Sequence, residues 1–303
     1  MSPRIRNNVA RFSLCVAAAG AGLAVLYGFK TTDLLFVVAG LTGFAGLLTA
    51  IVAVAGFGSA QGRAKAIGAM LLALISLAGL PFVSVVDQAS SRAHSQCSLK
   101  QIGLALHAYE AKYDHLPAAA ICDREGRPLL SWRVALLEFV EAESLYKEFH
   151  LDEPWDSPHN LSLLPRMPAV YRSCGTQTPE RHMTFYRVFV GPGTAFERDG
   201  LSLGTDFPDG TSNTIFVIEA GEAVPWTKPD ELEYHPDKPL PPLGGMFRVR
   251  NWLDRIQFKS DLTQACFADG SVRVMSRGAP EAAIRAAITR NGGEKTDLSQ
   301  LHQ

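Results

Sequence analysis

The sequence predicts an α+β domain carried behind N-terminal transmembrane helices. Long apolar stretches fill the chain up to Val86. After Asp87 the composition becomes that of an ordinary soluble domain. One amphipathic helical stripe opens that domain, and several β-type runs follow it.

From Phe12 to Val86 the only charged side chains are Lys30, Asp33, Arg63 and Lys65. Three apolar segments lie there: Phe12 to Phe29, Leu34 to Phe57 and Ile67 to Val86. About 20 helical residues cross a hydrocarbon core of about 30 Å, so each is long enough to span. Gly20, Gly22, Gly40, Gly43 and Gly46 let such helices approach closely. A cleaved signal peptide followed by core helices is the alternative. It accounts for the first segment only, and no small-x-small site precedes a soluble stretch.

Arg4, Arg6 and Arg11 precede the first segment, Lys30 is offset by Asp33, and the second loop holds Arg63 and Lys65. The positive-inside rule then puts the N-terminus and the second loop in the cytoplasm. Residues 1–86 read as a three-helix anchor in the inner membrane, with lipid as first partner. Residues 87–303 read as an extracytoplasmic domain. With a net charge of −1, the chain has no electrostatic basis for binding nucleic acid.

Cys15 lies in the first segment, and Cys97, Cys122, Cys174 and Cys266 lie in the outer domain. Four cysteines fit two disulfides in an oxidising compartment, and the sequence favours none of the three pairings. Buried reduced thiols are the alternative. The absence of a C-x-x-C pair argues against a zinc knuckle.

Pro81 bends the third segment. Helix resumes over Val86 to Tyr113, where Leu99, Ile102, Leu106, Tyr109 and Tyr113 form one apolar stripe. A turn at Asp123 to Gly126 follows. Ser131 caps a helix from Trp132 to about Phe149, with Val134, Leu137, Val140, Leu145 and Phe149 inward. Asp156-Ser157-Pro158 starts another helix over His159 to Leu164. Strands are expected at Val170 to Arg172, Thr184 to Val190 and Thr214 to Glu219, the last of them central. Ala265 to Ala268 and Ser271 to Met275 flank Asp269-Gly270, a hairpin signal. Pro280 to Arg290 is a last helix, with Gly292 past its end. Six prolines between Pro225 and Pro242 mark a long loop.

Seven blocks resemble a family found in planctomycete bacteria, catalogued as domain of unknown function 1559 and also called solute-binding protein family 10. They are Cys97 to Tyr109, Arg127 to Val134, His150 to Asn160, Gly191 to Phe196, Asp209 to Ile215, Val224 to Pro229 and Phe267 to Arg273, in the family's order. The resemblance implies a pilin-like architecture, with a long helix packed on an antiparallel sheet and no established enzymatic activity. A structural role at the envelope would make other envelope or pilin-like proteins its partners. Two departures stand out. Family members begin with a basic leader and Gly-Phe-Thr-Leu-x-Glu, whereas here Arg11-Phe12-Ser13-Leu14 lacks the Glu. The family ends on His, nine residues and Asp-Gly, and here Lys259 holds the His position.

Candidate chemistry is sparse. His150, Asp152, Glu153, Asp156 and His159 crowd into one loop, where convergence would make a metal site. The alternative is helix capping by Asp156 and loop decoration around Trp155. Asp199, Asp206 and Asp209, with Ser212 and Asn213, offer oxygens suited to Ca²⁺, against ordinary turn chemistry. Ser131, Ser212 and Ser271 lack a Gly-x-Ser-x-Gly elbow, and Gly191-Pro-Gly193 lacks the Lys and helix of a phosphate loop. Trp132, Trp155, Trp226 and Trp252, with Tyr234, are aromatic side chains able to line a glycan or peptide groove or to fill the core. The expected function is a non-catalytic structural or interaction role at the cell envelope. The alternative is a binding module for glycan, peptide or Ca²⁺, with Trp155, Trp226, His150 and His159 as its ligand residues.

Overall fold

A computed structural model of the chain describes residues 92–172, 182–197, 199–244, 262–276, 278–293 and 300–301. The three apolar segments, Cys174, Trp252 and Lys259 lie outside these residues. Among the described residues no helix is long and apolar enough to cross a membrane.

Residues 92–113 form one long helix. Its stripe behaves as the spacing predicts at the lower end, where Leu99, Ile102 and Leu106 are fully buried. The stripe surfaces at the top, where Tyr113 is 40% exposed. A two-stranded hairpin follows, β1 (Ala120–Cys122) with β2 (Pro128–Ser131). Its turn is closed by Gly126 at φ 80° and by Asp123 Oδ1, which accepts from Glu125 N and Arg127 N.

The main sheet is antiparallel and contains β3 (Met183–Arg187), β5 (Ile215–Pro225), β7 (Leu262–Phe267) and β8 (Val272–Ser276), in the order β3-β5-β7-β8. Between β3 and β5 lies β4 (Phe189–Val190), which pairs in parallel with β6 (Leu232–Glu233). The Thr-Ile-Phe-Val-Ile run is therefore central, as expected, because both sheet faces are covered. On one face Phe216, Val217 and Cys266 share a core with Leu99, Ile102 and Leu106 of the long helix. On the other, Ile215, Ile218, Ala265, Phe267 and Met275 meet Ala283, Ile284, Ala287 and Ile288 of the last helix, Glu281–Ile288. Each large side chain buried this way contributes about 1.5–3 kcal/mol. The result is an α+β domain with a long helix on an antiparallel sheet.

Three expectations need correction. The helix expected over Trp132 to Phe149 is broken into Trp132–Ala135, a 3-10 turn at Leu137–Phe139 and Glu143–Tyr146. Residues 129–134 are all buried, so the chain threads through the interior instead of lying on it as an amphipathic rod. Glu141, at φ 59°, turns it out again. The strand at Val170 to Arg172 is a 3-10 turn, Ala169–Tyr171, set by Pro168 before it. The hairpin expected at Asp269-Gly270 does form, with Gly270 at φ 78° and Asp269 Oδ1 accepting from Ser271 N. The helix start at Ser157-Pro158 stands as read, but the cap is Ser157, whose hydroxyl accepts from Asn160 N, and not Asp156.

The approach of helix to sheet is close enough to constrain sequence. A Cβ at Gly103 would lie 2.6 Å from Cys266 Sγ. Gly103→Ala should therefore destabilise the domain by about 1–3 kcal/mol through overpacking. Adding Cys266→Ala should restore part of that loss, which thermal unfolding of the single and double variants will measure.

Candidate functional site

Where β2 runs into the short helix after it, Ser131, Trp132 and Arg133 are all buried. The Arg133 guanidinium lies 4.8 Å from the Trp132 ring centre, and its Nε donates to Tyr186 O at 2.9 Å. Its Nη1 donates to Glu231 Oε1 at 2.9 Å, with side-chain exposures of 0% and 4%. Glu231 Oε1 also accepts from Trp132 Nε1 at 3.0 Å, and Oε2 accepts from Val188 N at 2.9 Å. Burial pushes the Glu231 carboxyl up, and the Arg133 charge opposes it. Tyr171 Oη donates to Arg133 O at 3.0 Å. Toward solvent, Arg187 Nη2 donates to Asp230 Oδ1 and Lys228 Nζ to Asp230 Oδ2, each at 2.7 Å.

This polar centre joins the 127–134 block to the loop after Trp226 and to the β3–β4 strand. Its acceptors are filled by the protein's own donors. The sequence reading missed Arg133, Arg187, Asp230 and Glu231. A charged residue flanked by Trp132 and Val134 in an apolar run was the available signal for Arg133. Nothing local marks Glu231, because its burial depends on contacts 98 residues away.

The residues expected to bind ligand divide. Trp226 is fully buried, donates Nε1–H to Leu164 O at 3.0 Å and stacks on Tyr171 with centroids 5.9 Å apart. Its place in a surface groove is thus corrected: Trp226 fills the core beneath a long loop. Trp155 is half-buried against the same core, with Lys228 Nζ 6.0 Å from its ring centre. His150 and His159 do come together, their rings 3.5 Å apart and 3° from parallel. Asn160 Oδ1 accepts from His150 N, and its Nδ2 donates to the carbonyls of His150, Glu153 and Pro154, which fixes this loop. His150 Nδ1 lies 2.9 Å from Glu153 Oε1, and hydrogen bonds from His150 and Ser157 hold the Glu153 carboxyl below its usual range. Two imidazoles stacked in parallel aim their nitrogens in separate planes, so they do not chelate one ion.

Asp206 Oδ2 accepts from Ser202 N and Thr205 Oγ1, while both oxygens of Asp209 accept from Gly293 N. Asp199 lies near Tyr109 and Cys122, whose hydroxyl and thiol are both raised, by burial first. Among the described residues, no group of three or more His, Cys, Asp or Glu is placed to hold a metal ion. Among the described residues Cys97, Cys122 and Cys266 are free thiols, the first two exposed and the third buried. A shallow depression of ≈ 290 Å³ is lined by Val190, Gly191, Glu233, Tyr234, His235 and Lys238.

The described chain is thus a mixed helix and antiparallel-sheet domain closed around a buried ion pair, with a histidine-bearing loop on its surface. Residues 88–241, half of the chain, match the family model described as "Protein of unknown function (DUF1559)", short name SBP_bac_10. The chain belongs to the DUF1559 family. No curated protein and no solved structure matches it. Of the seven blocks, the last, Phe267 to Arg273, lies past the matched stretch.

Arg133→Met leaves Glu231 buried without its cation and should cost about 3–5 kcal/mol of stability. Arg133→Met with Glu231→Leu should recover most of it, as read by chemical denaturation of the four members of the cycle. Burial pushes the Cys266 thiol up to about 12. At pH 8, iodoacetamide should therefore label Cys97 in the native protein and Cys266 only after unfolding, as peptide mass mapping will report.

Proposed function

We propose that this protein is a membrane-anchored, extracytoplasmic domain of pilin-like build that works through contacts and not through catalysis. The observation that carries this reading is where the polar groups lie. The ion pair of Arg133 with Glu231 is sealed in the core and holds three chain segments together. A helix over 92–113 laid on an antiparallel sheet supports the pilin-like part. The apolar segments before Val86 support the anchor, and the Lys and Arg distribution around them supports an outward-facing domain at the inner membrane. Membrane lipid and other envelope proteins are the partners this reading assigns, and no cofactor is needed for it.

One observation favours a second reading, a binding module for an envelope glycan, peptide or Ca²⁺. The stacked His150 and His159 and the half-buried Trp155 form an ordered, partly exposed loop. Such aromatic and polar edges suit a small ligand.

The deciding experiment is recovery of the full chain from native membranes under mild detergent. Specific co-enrichment of other envelope proteins is the expected result. Recovery of the chain alone, together with retention of envelope glycan that His150→Ala and Trp155→Ala abolish, would replace the first reading with the second. A reporter fused at Gln88 should be active only outside the cytoplasm.

A further inference from the structure

The shallow depression beside the β4–β6 pair is lined by charges that the protein itself leaves unmatched. Val190 and Gly191, at the end of β4, form one side of it. Glu233, at the end of β6, and Tyr234, His235 and Lys238, in the turn that follows, form the other. Glu233 and Lys238 are exposed, and among the described residues neither side chain has a hydrogen bond or an ion pair. A carboxylate and an ammonium thus line one space of ≈ 290 Å³ without neutralising each other. Other exposed opposite charges of the domain do close up, Lys112 on Glu138 at 2.7 Å and Lys147 on Glu143 at 2.6 Å.

The frame around the depression is fixed. Tyr234 N donates to Val190 O at 2.8 Å, which holds β6 on β4. Gly191, at φ 139°, comes so close that a Cβ would lie 2.1 Å from Tyr234 O. Arg285, from the last helix, grips the turn: Nη1 donates to His235 O at 3.1 Å and Nη2 to Lys238 O at 2.5 Å. Arg285 Nε donates to Glu281 Oε1 at 2.9 Å, so this cation is already paired. Asp237 N donates to His235 Nδ1 at 3.2 Å. A ring nitrogen that accepts leaves the proton of a neutral imidazole on the other, so His235 presents Nε2–H. Asp237 Oδ2 stands 3.7 Å from the same Nδ1, on a side chain that is 89% exposed.

We propose that this depression binds a small zwitterion of the α-amino acid class, with its ammonium on Glu233 and its carboxylate on Lys238 and the His235 ring. Hydrogen bonds between charged groups are stronger than neutral ones, and a zwitterion makes them at both ends. A ligand with a single charge meets one attractive wall and one repulsive wall: an amine faces Lys238, and an acid faces Glu233. The volume lies at the lower end of small-molecule sites, which suits one amino acid and not a glycan chain. Val190 offers apolar surface to the ligand's side chain. Because strands and turn are held in place beforehand, little ordering opposes binding. The site goes beyond both readings of the function, uses none of His150, His159 or Trp155, and stands whichever reading holds.

Equilibrium dialysis of the full chain in detergent against radiolabelled L-leucine tests the site, with leucinamide and isocaproate as analogues that keep one charge each. L-leucine should be retained, and each analogue held about tenfold more weakly or worse. Glu233→Gln should weaken leucine by a similar factor and leave isocaproate no weaker. Lys238→Gln should weaken leucine and leave leucinamide no weaker. Both side chains are exposed and unbonded, so the variants should unfold at the wild-type temperature. His150→Ala should leave leucine binding unchanged, which separates this site from the histidine loop. Leucine not retained at about 10 mM would overturn the proposal. Binding no tighter than that of the analogues, or unchanged in both Glu233→Gln and Lys238→Gln, would overturn it equally.

Discussion

A guanidinium and a carboxylate shut away from water set the terms for this domain. Arg133 reaches its position only if residues 129–134 run through the interior, and Glu231 only if the proline-rich loop folds back over β3. Neither charge is tolerable alone at that depth, so each segment is placed by the need of the other. Trp132 and Val188 complete the set by donating to the same carboxylate. The arrangement specifies which segments meet more than it adds net stability, since a buried ion pair is largely offset by its own desolvation.

Around that pair the hydrophobic layers are conventional, and their geometry explains several small residues. Gly103 is small because Cys266 lies against it. Gly191, at φ 139°, is small because a Cβ there would lie 2.1 Å from Tyr234 O. Past the last helix, Arg290 Nη2 donates to Glu197 Oε2 at 2.6 Å and Nη1 to Asp206 O at 2.8 Å. That side chain ties Glu197 to the backbone at Asp206, and the Arg290 N–H donates to Gly193 O at 2.7 Å, so the Gly191-Pro-Gly193 turn and the aspartate loop are held to the end of the last helix.

Much of the fold was legible in the sequence, and the parts that were not share a cause. The helix over 92–113, the central strand at Ile215 and the β7–β8 hairpin follow from periodicity and turn chemistry, which are local properties. The broken helix after Ser131 was misread because the pattern of Val134, Leu137 and Leu145 fits a helical face, while the burial of Trp132 and Arg133 around the rest of the circumference is set by distant partners. Trp226 was misplaced for the same reason: neighbouring prolines mark a loop, but not whether the loop's aromatic residue points in or out. The stacking of His150 on His159 follows from the helix that Ser157-Pro158 starts, which returns the chain beside itself, and spacing alone carries no sign of it. Glu219 looked like the end of an apolar strand. Its burial under Ser95 and Gln264 has no signature short of the three-dimensional fold.

The sheet order β3-β5-β7-β8 has a practical consequence. The stretch shared with the family stops at residue 241, inside the proline-rich loop and ahead of β7. A polypeptide cut there would keep β5 but bare the side of it that β7 normally occupies, a row of free amides and carbonyls flanked by Ile215, Val217 and Ile218. Bare strand edges of that length recruit other strands and aggregate. The smallest piece that can stay monomeric in a test tube therefore extends well past the family boundary, through β8 and the closing helix to Arg290.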